Sequence, residues 1–286
     1  MRHTHTSLAG ALFIVACLAQ PAAKAQDLNL ESVHWAYSSY FGTGWYEVND
    51  ERNVYVLRMT PRWDLREANI AEDGARRIGY ELSLAITAGL DRFSLDDLPG
   101  VVEPDNLASL SVTPGISMTV PVTERWSLRP FAHIGWGKLL SGSSSAWAYW
   151  GGIKSRLEFQ SGKLEWALLN AITYVGSSPS DSFDDNFWPV MIGLDFDYPI
   201  GHSEQQLFLG LHTTYTTFEN DLELSVKFNE IEPITDQWEV GVSLHRKEQP
   251  LKFWFFRFDR LGLGYRASST GDLRGVTFIF RSVFDN

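Results

Sequence analysis

The residues Leu273-Arg274-Gly275-Val276-Thr277-Phe278-Ile279-Phe280-Arg281-Ser282-Val283-Phe284, followed by Asp285 and Asn286, decide the fold. Read with a period of two, they send Val276, Phe278, Phe280 and Phe284 to one face and Thr277, Ile279, Arg281 and Val283 to the other. An aromatic face opposite one that carries an arginine suits a strand with lipid on one side and a polar lumen on the other. The stretch therefore predicts the closing strand of a membrane barrel.

The same partition recurs upstream. Over 107–120, Leu110, Val112, Pro114, Ile116 and Met118 oppose Ser109, Ser111, Thr113, Gly115, Ser117 and Thr119, an apolar wall over a hydroxyl-rich one. After a short turn, Trp126, Leu128, Pro130, Ala132, Ile134 and Trp136 oppose Ser127, Arg129, Phe131, His133, Gly135 and Gly137. Then Leu164, Trp166, Leu168, Ile172 and Tyr174 share a face, as do Trp188, Val190, Ile192, Leu194, Phe196 and Tyr198, with Asp195 and Asp197 behind the last set. Trp126 and Trp136, like Trp188 and Tyr198, lie ten residues apart on one face. At ~3.3 Å per residue and a tilt of ~40°, that separation spans about 25 Å of height, the expected distance between two aromatic girdles. These four are the candidate girdle residues.

Twelve candidate strands follow: 33–42, 53–60, 77–89, 107–120, 126–138, 146–159, 163–176, 187–199, 206–217, 237–246, 256–267 and 274–284. The reading is all-β, an antiparallel transmembrane β-barrel of twelve strands, an even number as single-chain bacterial barrels have. The turns near 121–125, 160–162 and 200–205 fall on one side, which the barrel would present to the periplasm. The links 61–76 and 247–255 are long for that side.

The N-terminus suggests the address. Met1-Arg2, the apolar Leu8 to Leu18 and the small-residue site Ala23-Lys24-Ala25 read as a signal peptide over 1–25, leaving a single domain over 26–286. A competing reading takes Ile14-Val15-Ala16-Cys17 as a lipoprotein box with Cys17 lipidated; cleavage after Ala25 would instead remove Cys17, the sole cysteine. Either way no disulfide staples the mature chain. Gly275 with aromatics three and five residues on, and Phe284 near the end, matches the assembly signal of bacterial outer-membrane barrels; Gly275, Phe278, Phe280 and Phe284 are its candidate residues.

Composition alone looks soluble and acidic, with 286 residues, 44% hydrophobic, formal net charge −11 and a mean hydropathy of −0.15. Alternation averages out in bulk hydropathy, so a barrel is compatible with these values. The acidic balance argues against nucleic-acid binding, which wants a basic patch. No internal repeat, low-complexity tract or linker divides the chain.

The inner face inherits Arg58, Glu81, Arg129, Lys154, Arg156, Glu158, Glu165, Asp195, Asp197, Glu239, Arg260, Arg266 and Arg281. Of these, Arg129, Asp195, Asp197, Glu239 and Arg281 are the chief candidates for a charged lumen. Mixed signs at this density suit either a salt-bridged, rigid lumen or a narrow solute- or ion-selective constriction. Enzymatic activity is not expected. The nearest hydrolase-like pair, His212 and Thr214, points inward and lacks the serine and the orienting polar group that a lipid hydrolase needs at its rim. His133 and His245 read as hydrogen-bonded lumen residues, and no cofactor or metal is expected.

Ser127-Leu128-Arg129-Pro130-Phe131-Ala132-His133-Ile134-Gly135-Trp136-Gly137, with Leu261-Gly262-Leu263-Gly264-Tyr265-Arg266 and the terminal strand, resembles the solitary outer-membrane autotransporter-like β-domain family. The resemblance runs over most of the mature chain and implies a twelve-stranded barrel related to autotransporter translocators, with no catalytic residues. The stretch between Ala25 and Val33 leaves no room for a passenger, a departure from true autotransporters, and Asp285 and Asn286 after Phe284 are another. The expected partners are the lipid bilayer with lipopolysaccharide and the outer-membrane assembly machinery, for a monomer in a Gram-negative outer membrane.

Overall fold

A computed structural model describes residues 40–48, 52–93, 107–140, 144–180, 184–200, 207–222, 234–246, 251–253, 256–282 and 284. The signal-peptide reading of 1–25 and most of the expected strand 33–42 lie outside these residues. The strands are β1 (Gly44–Val48), β2 (Arg52–Met59), β3 (Arg62–Arg66), β4 (Asn69–Ile70), β5 (Arg76–Arg77), β6 (Gly79–Phe93), β7 (Leu107–Thr123), β8 (Trp126–Leu139) and β9 (Ser145–Ser161). They continue with β10 (Leu164–Pro179), β11 (Asp185–Ile200), β12 (Leu207–Leu222), β13 (Ile234–Arg246), β14 (Leu251–Phe253), β15 (Phe256–Phe258), β16 (Arg260–Ala267) and β17 (Leu273–Ile279).

β2 and β3 pair with successive stretches of β6, so they form one wall strand interrupted at Thr60 and Pro61. Pro61 has no N–H to give a ladder, but its carbonyl accepts from the Leu84 N–H at 3.0 Å and keeps the wall continuous. Counted so, twelve antiparallel strands close on themselves, with β1 seated between β17 and β2. The small ladders β4–β5 and β14–β15 stand apart from the wall.

Four expectations are corrected. Among the described residues the first wall strand is Gly44–Val48, and residues 40–42, the described part of the expected strand 33–42, are not strand. The segment 61–76, read as a link, contributes β3 to the wall. The expected strand 256–267 is divided into β15 and β16, and the link 247–255 contributes β14 to the β14–β15 hairpin. The expected strand 274–284 leaves the ladder after Ile279.

The wall has a lower rim, where β7 turns into β8 at Glu124 and Arg125 and β9 into β10 at Gly162 and Lys163, and an upper rim at the other ends of these strands. Gly162 holds φ at 61°, a left-handed value that suits glycine in so short a reversal. Side chains obey the alternation read from the sequence. Leu57, Leu82, Ile116, Ile134, Ile153, Ile172, Ile192, Leu211, Val242, Leu263 and Phe278, one from each of eleven wall strands, are all between 41% and 59% exposed. The barrel is thus girdled on its outside by an apolar belt, aliphatic on every one of these strands but β17. Aromatic rows bound that belt. Near the lower rim, Phe159 and Trp166 stack with centroids 4.1 Å apart, and Trp126 and Tyr198 stand exposed on nearby strands. Near the upper rim, Trp136 pairs with Trp147 and Tyr215 with Trp238 across the ladder, and Tyr174 lies 4.8 Å from Trp188.

Among the described residues no helix is long and apolar enough to cross a membrane, which says nothing of crossing by strands.

Candidate functional site in the barrel lumen

Inward positions on the wall build two different interiors. Toward the upper rim, Tyr46 and Val48 (β1), Val54 and Val56 (β2), Ala85 (β6), Trp150 (β9), Val175 (β10), Phe187 (β11), Phe218 (β12), Ile234 (β13) and Leu273 (β17) join one buried cluster with Phe41. These residues come from opposite sides of the wall, so they meet across the lumen. Phe41 and Tyr40, immediately before β1, lie inside it: the Tyr40 ring meets Phe187 and Phe218 edge-on at 5.7 and 6.2 Å, and Phe41 meets Tyr46 at 4.7 Å.

Toward the lower rim the interior is ionic. The Asp195 carboxylate accepts from Arg260 Nη1 at 3.0 Å, from Arg156 Nη1 at 3.4 Å and from Ser282 Oγ at 3.1 Å. Arg156 Nε also donates to Glu158 Oε1 at 2.8 Å. Asp197 sits within 3.7 Å of Arg260 and 3.6 Å of His245. A cavity of about 300 Å3 at this mouth is lined by Arg125, Arg156, Glu158, Glu165, Asp195 and Asp197 among others.

Between the halves runs a third set. His212 Nε2 lies 2.9 Å from Glu239 Oε1, and Glu239 Oε2 accepts from Arg266 Nε at 2.8 Å and Nη2 at 2.7 Å. The Arg266 guanidinium then covers the faces of Phe41 and Tyr46 at 5.0 and 5.9 Å, joining ionic to aromatic packing. Gly241 makes room for this set, because a Cβ there would stand 2.3 Å from His212 Cε1. Farther along the wall, Arg129 Nη2 donates to Glu81 Oε1 at 2.7 Å and to Ser117 Oγ at 3.1 Å, and His133 stacks on Trp150 at 4.6 Å.

Buried charges of this kind exist only paired, since an isolated ion in so dry a setting would cost several kcal/mol, about the effective penalty per ion in real proteins. Arg129, Asp195, Asp197 and Glu239 face the lumen as the alternation predicted, and all are buried. Trp126, Trp136, Trp188 and Tyr198 stand on the outer face and are exposed. Arg281 is half-buried and has left the ladder; its Nη2 donates to the Thr60 carbonyl at 2.9 Å. Of the terminal pattern, Phe278 is exposed and Phe280 half-buried, whereas Phe284, expected outside, is inside and only 5% exposed, packed with Ala167, Leu169 and Met191. The reason is the bend after Ile279, which breaks the period of two.

Sequence reading missed Ser282 and Phe284 as lumen residues. One signal was available: continued as a strand, the terminus would place the Ser282 hydroxyl on the outer face. Tyr40 and Phe41 carried no such signal, lying in what read as a strand. His212 and Thr214 do share the inner face, with His212 held by Glu239 inside the lumen. Among the described residues no group of three or more His, Cys, Asp or Glu side chains is placed to hold a metal ion.

The chain matches no known family model and no curated protein.

Proposed function

We propose that the chain is an integral outer-membrane β-barrel whose lumen is sealed and whose role is structural. The observation that carries the membrane reading is the apolar belt around the wall, edged by aromatic rows. Such a belt on a water-soluble protein would be an apolar patch far larger than soluble monomers expose. Supporting the sealed reading, apolar side chains from opposite walls meet in the upper half and the charges of the lower half are spent on one another. The natural surroundings of such a barrel are a bilayer with lipopolysaccharide in its outer leaflet, reached through the outer-membrane assembly machinery. Twelve strands also accord with kinship to autotransporter-type β-domains.

The test is topological. Spin labels on cysteines placed at Ile134 and Ile192 are expected to be relaxed by lipid-soluble oxygen, and labels at His133 and Asp195 are not. The protein is expected in outer-membrane fractions with heat-modifiable gel migration; recovery as a detergent-free periplasmic monomer would overturn the reading. A narrow pore is the second reading, favoured by the charged cavity at the lower mouth. Steady conductance in planar bilayers, shifted toward anions when Asp195 and Asp197 are neutralised, would establish it over the sealed barrel.

A further inference from the structure

After Ile279 the chain leaves the wall. The Phe280 carbonyl accepts from the N–H groups of Asp259 and Arg260 at 3.1 and 3.2 Å, its last contacts with the neighbouring strand's backbone. Ser282 and Phe284 lie inside the lumen. Ser282 Oγ donates to Asp195 on β11 and accepts from Arg156 on β9 at 3.4 Å. The Phe284 carbonyl accepts from Lys154 Nζ on β9 at 3.2 Å, and its ring is buried with Ala167 and Leu169 of β10. Along the sheet, β10 is five strands from β17 through β16, β13, β12 and β11, and seven by the other route. Phe284 therefore lies near the opposite wall.

The fit is chemical at each point. A hydroxyl meets a carboxylate that already has two arginines, a carbonyl meets an ammonium, and a ring meets an apolar patch. That patch makes little sense without the ring. Ala167 and Leu169 are inward positions flanked by Glu158, Arg156 and Asp195 on neighbouring strands, yet both are fully buried. Carried on as a strand, Ser282 and Phe284 would lie on the outer face with Phe278; instead both are inside.

We infer that the lumen holds a built-in site for a peptide segment, formed by Lys154, Arg156, Asp195, Ala167 and Leu169, and that the chain's own terminus is its occupant, strapping the lower half of the barrel shut. The site would take a short segment with a hydroxyl side chain two residues before an aromatic one, and the terminus supplies both. The assignment concerns the inside of the barrel and holds whether or not the outer belt meets lipid.

Two measurements test it on the full chain with Cys17 replaced by serine. In the first, p-azidophenylalanine, which keeps the ring, replaces Phe284 and the folded barrel is irradiated. An intramolecular crosslink to β10 at Ala167 or Leu169 is expected, and its absence would overturn the inference. In the second, Ala167→Cys reports access of a small charged methanethiosulfonate. Reaction at least tenfold faster in a chain stopped after Phe280 than in the full chain is expected. Because the shortened chain can fail to assemble, Phe284→Ala in the full chain serves as a second opening variant, with several-fold faster reaction expected. Equal reactivity of Ala167→Cys in the full chain and in whichever variant retains heat-modifiable folding would sink the strap. Failure of the lipid assignment would leave both readouts unchanged, so the two proposals fail separately.

Discussion

The upper and lower halves of the lumen have the same wall, the same alternation and opposite chemistry. The upper half is filled by aromatic and branched side chains, with Tyr40 and Phe41 added from the segment before β1; the lower half is filled by ion pairs, with Ser282 and Phe284 added from the segment after β17. The difference teaches what a twelve-stranded wall lacks. About eight strands enclose a space that inward side chains can fill by themselves, and wider barrels leave a void. Here both ends of the described chain fold inward and make up the deficit, each into the half whose chemistry matches it.

The contrast predicts different responses to damage. The largest loss is expected for Asp195→Ala, which leaves Arg260 and Arg156 without their shared carboxylate and should cost ~3–5 kcal/mol, the range for breaking a buried pair. Chemical denaturation followed by tryptophan fluorescence measures it, and adding Arg260→Leu is expected to recover part of the loss by removing the charge whose nearest carboxylate is gone. Phe187→Ala in the upper half should also destabilise by ~3–5 kcal/mol, the range for truncating a buried phenylalanine. No second truncation among its neighbours is expected to restore that, and recovery by Phe218→Ala would erase the distinction between the halves. At the boundary, Gly241→Ala drives a methyl against the His212 ring and is expected to cost ~1–3 kcal/mol by overpacking, read in the same assay. The smallest effect belongs to the outer face. Trp126→Phe removes the 2.9 Å bond from its indole N–H to Ser155 Oγ, and a change of ~0.5–1.5 kcal/mol is expected.

The wall was legible in the sequence wherever the two faces differ in polarity. On β11, Trp188, Val190 and Ile192 alternate with residues that end in Asp195 and Asp197, and a slip by one residue would exchange belt for lumen. That contrast revealed Arg129, Asp195, Asp197 and Glu239 as lumen residues and Trp126, Trp136, Trp188 and Tyr198 as outer ones. It vanishes in Gly44–Val48, where Trp45 faces out and Tyr46 faces in; two aromatics in a row give no sign of which side is which. It misleads at the terminus, because Phe280 and Phe284 keep the period of two after the backbone has abandoned it. Partners could not be read at all. That His212 meets Glu239 or that Arg156 meets Asp195 depends on register across strands, which no single strand encodes.

The shortest wall strand is the one that shuts the ring. β1 offers five register pairs to β17 and five to β2, where β9 and β10 share sixteen. Every other wall contact joins neighbours along the chain, but this one sets residue 44 beside residue 277, so its loop-closure entropy is the greatest in the molecule and its enthalpic return among the least. The barrel is in that sense a ribbon of hairpins held as a cylinder by one short clasp. When it opens, the clasp is where it parts, and amide hydrogens of Gly44–Val48 are expected to exchange sooner than those of β9 and β10, with the hairpins still intact on either side.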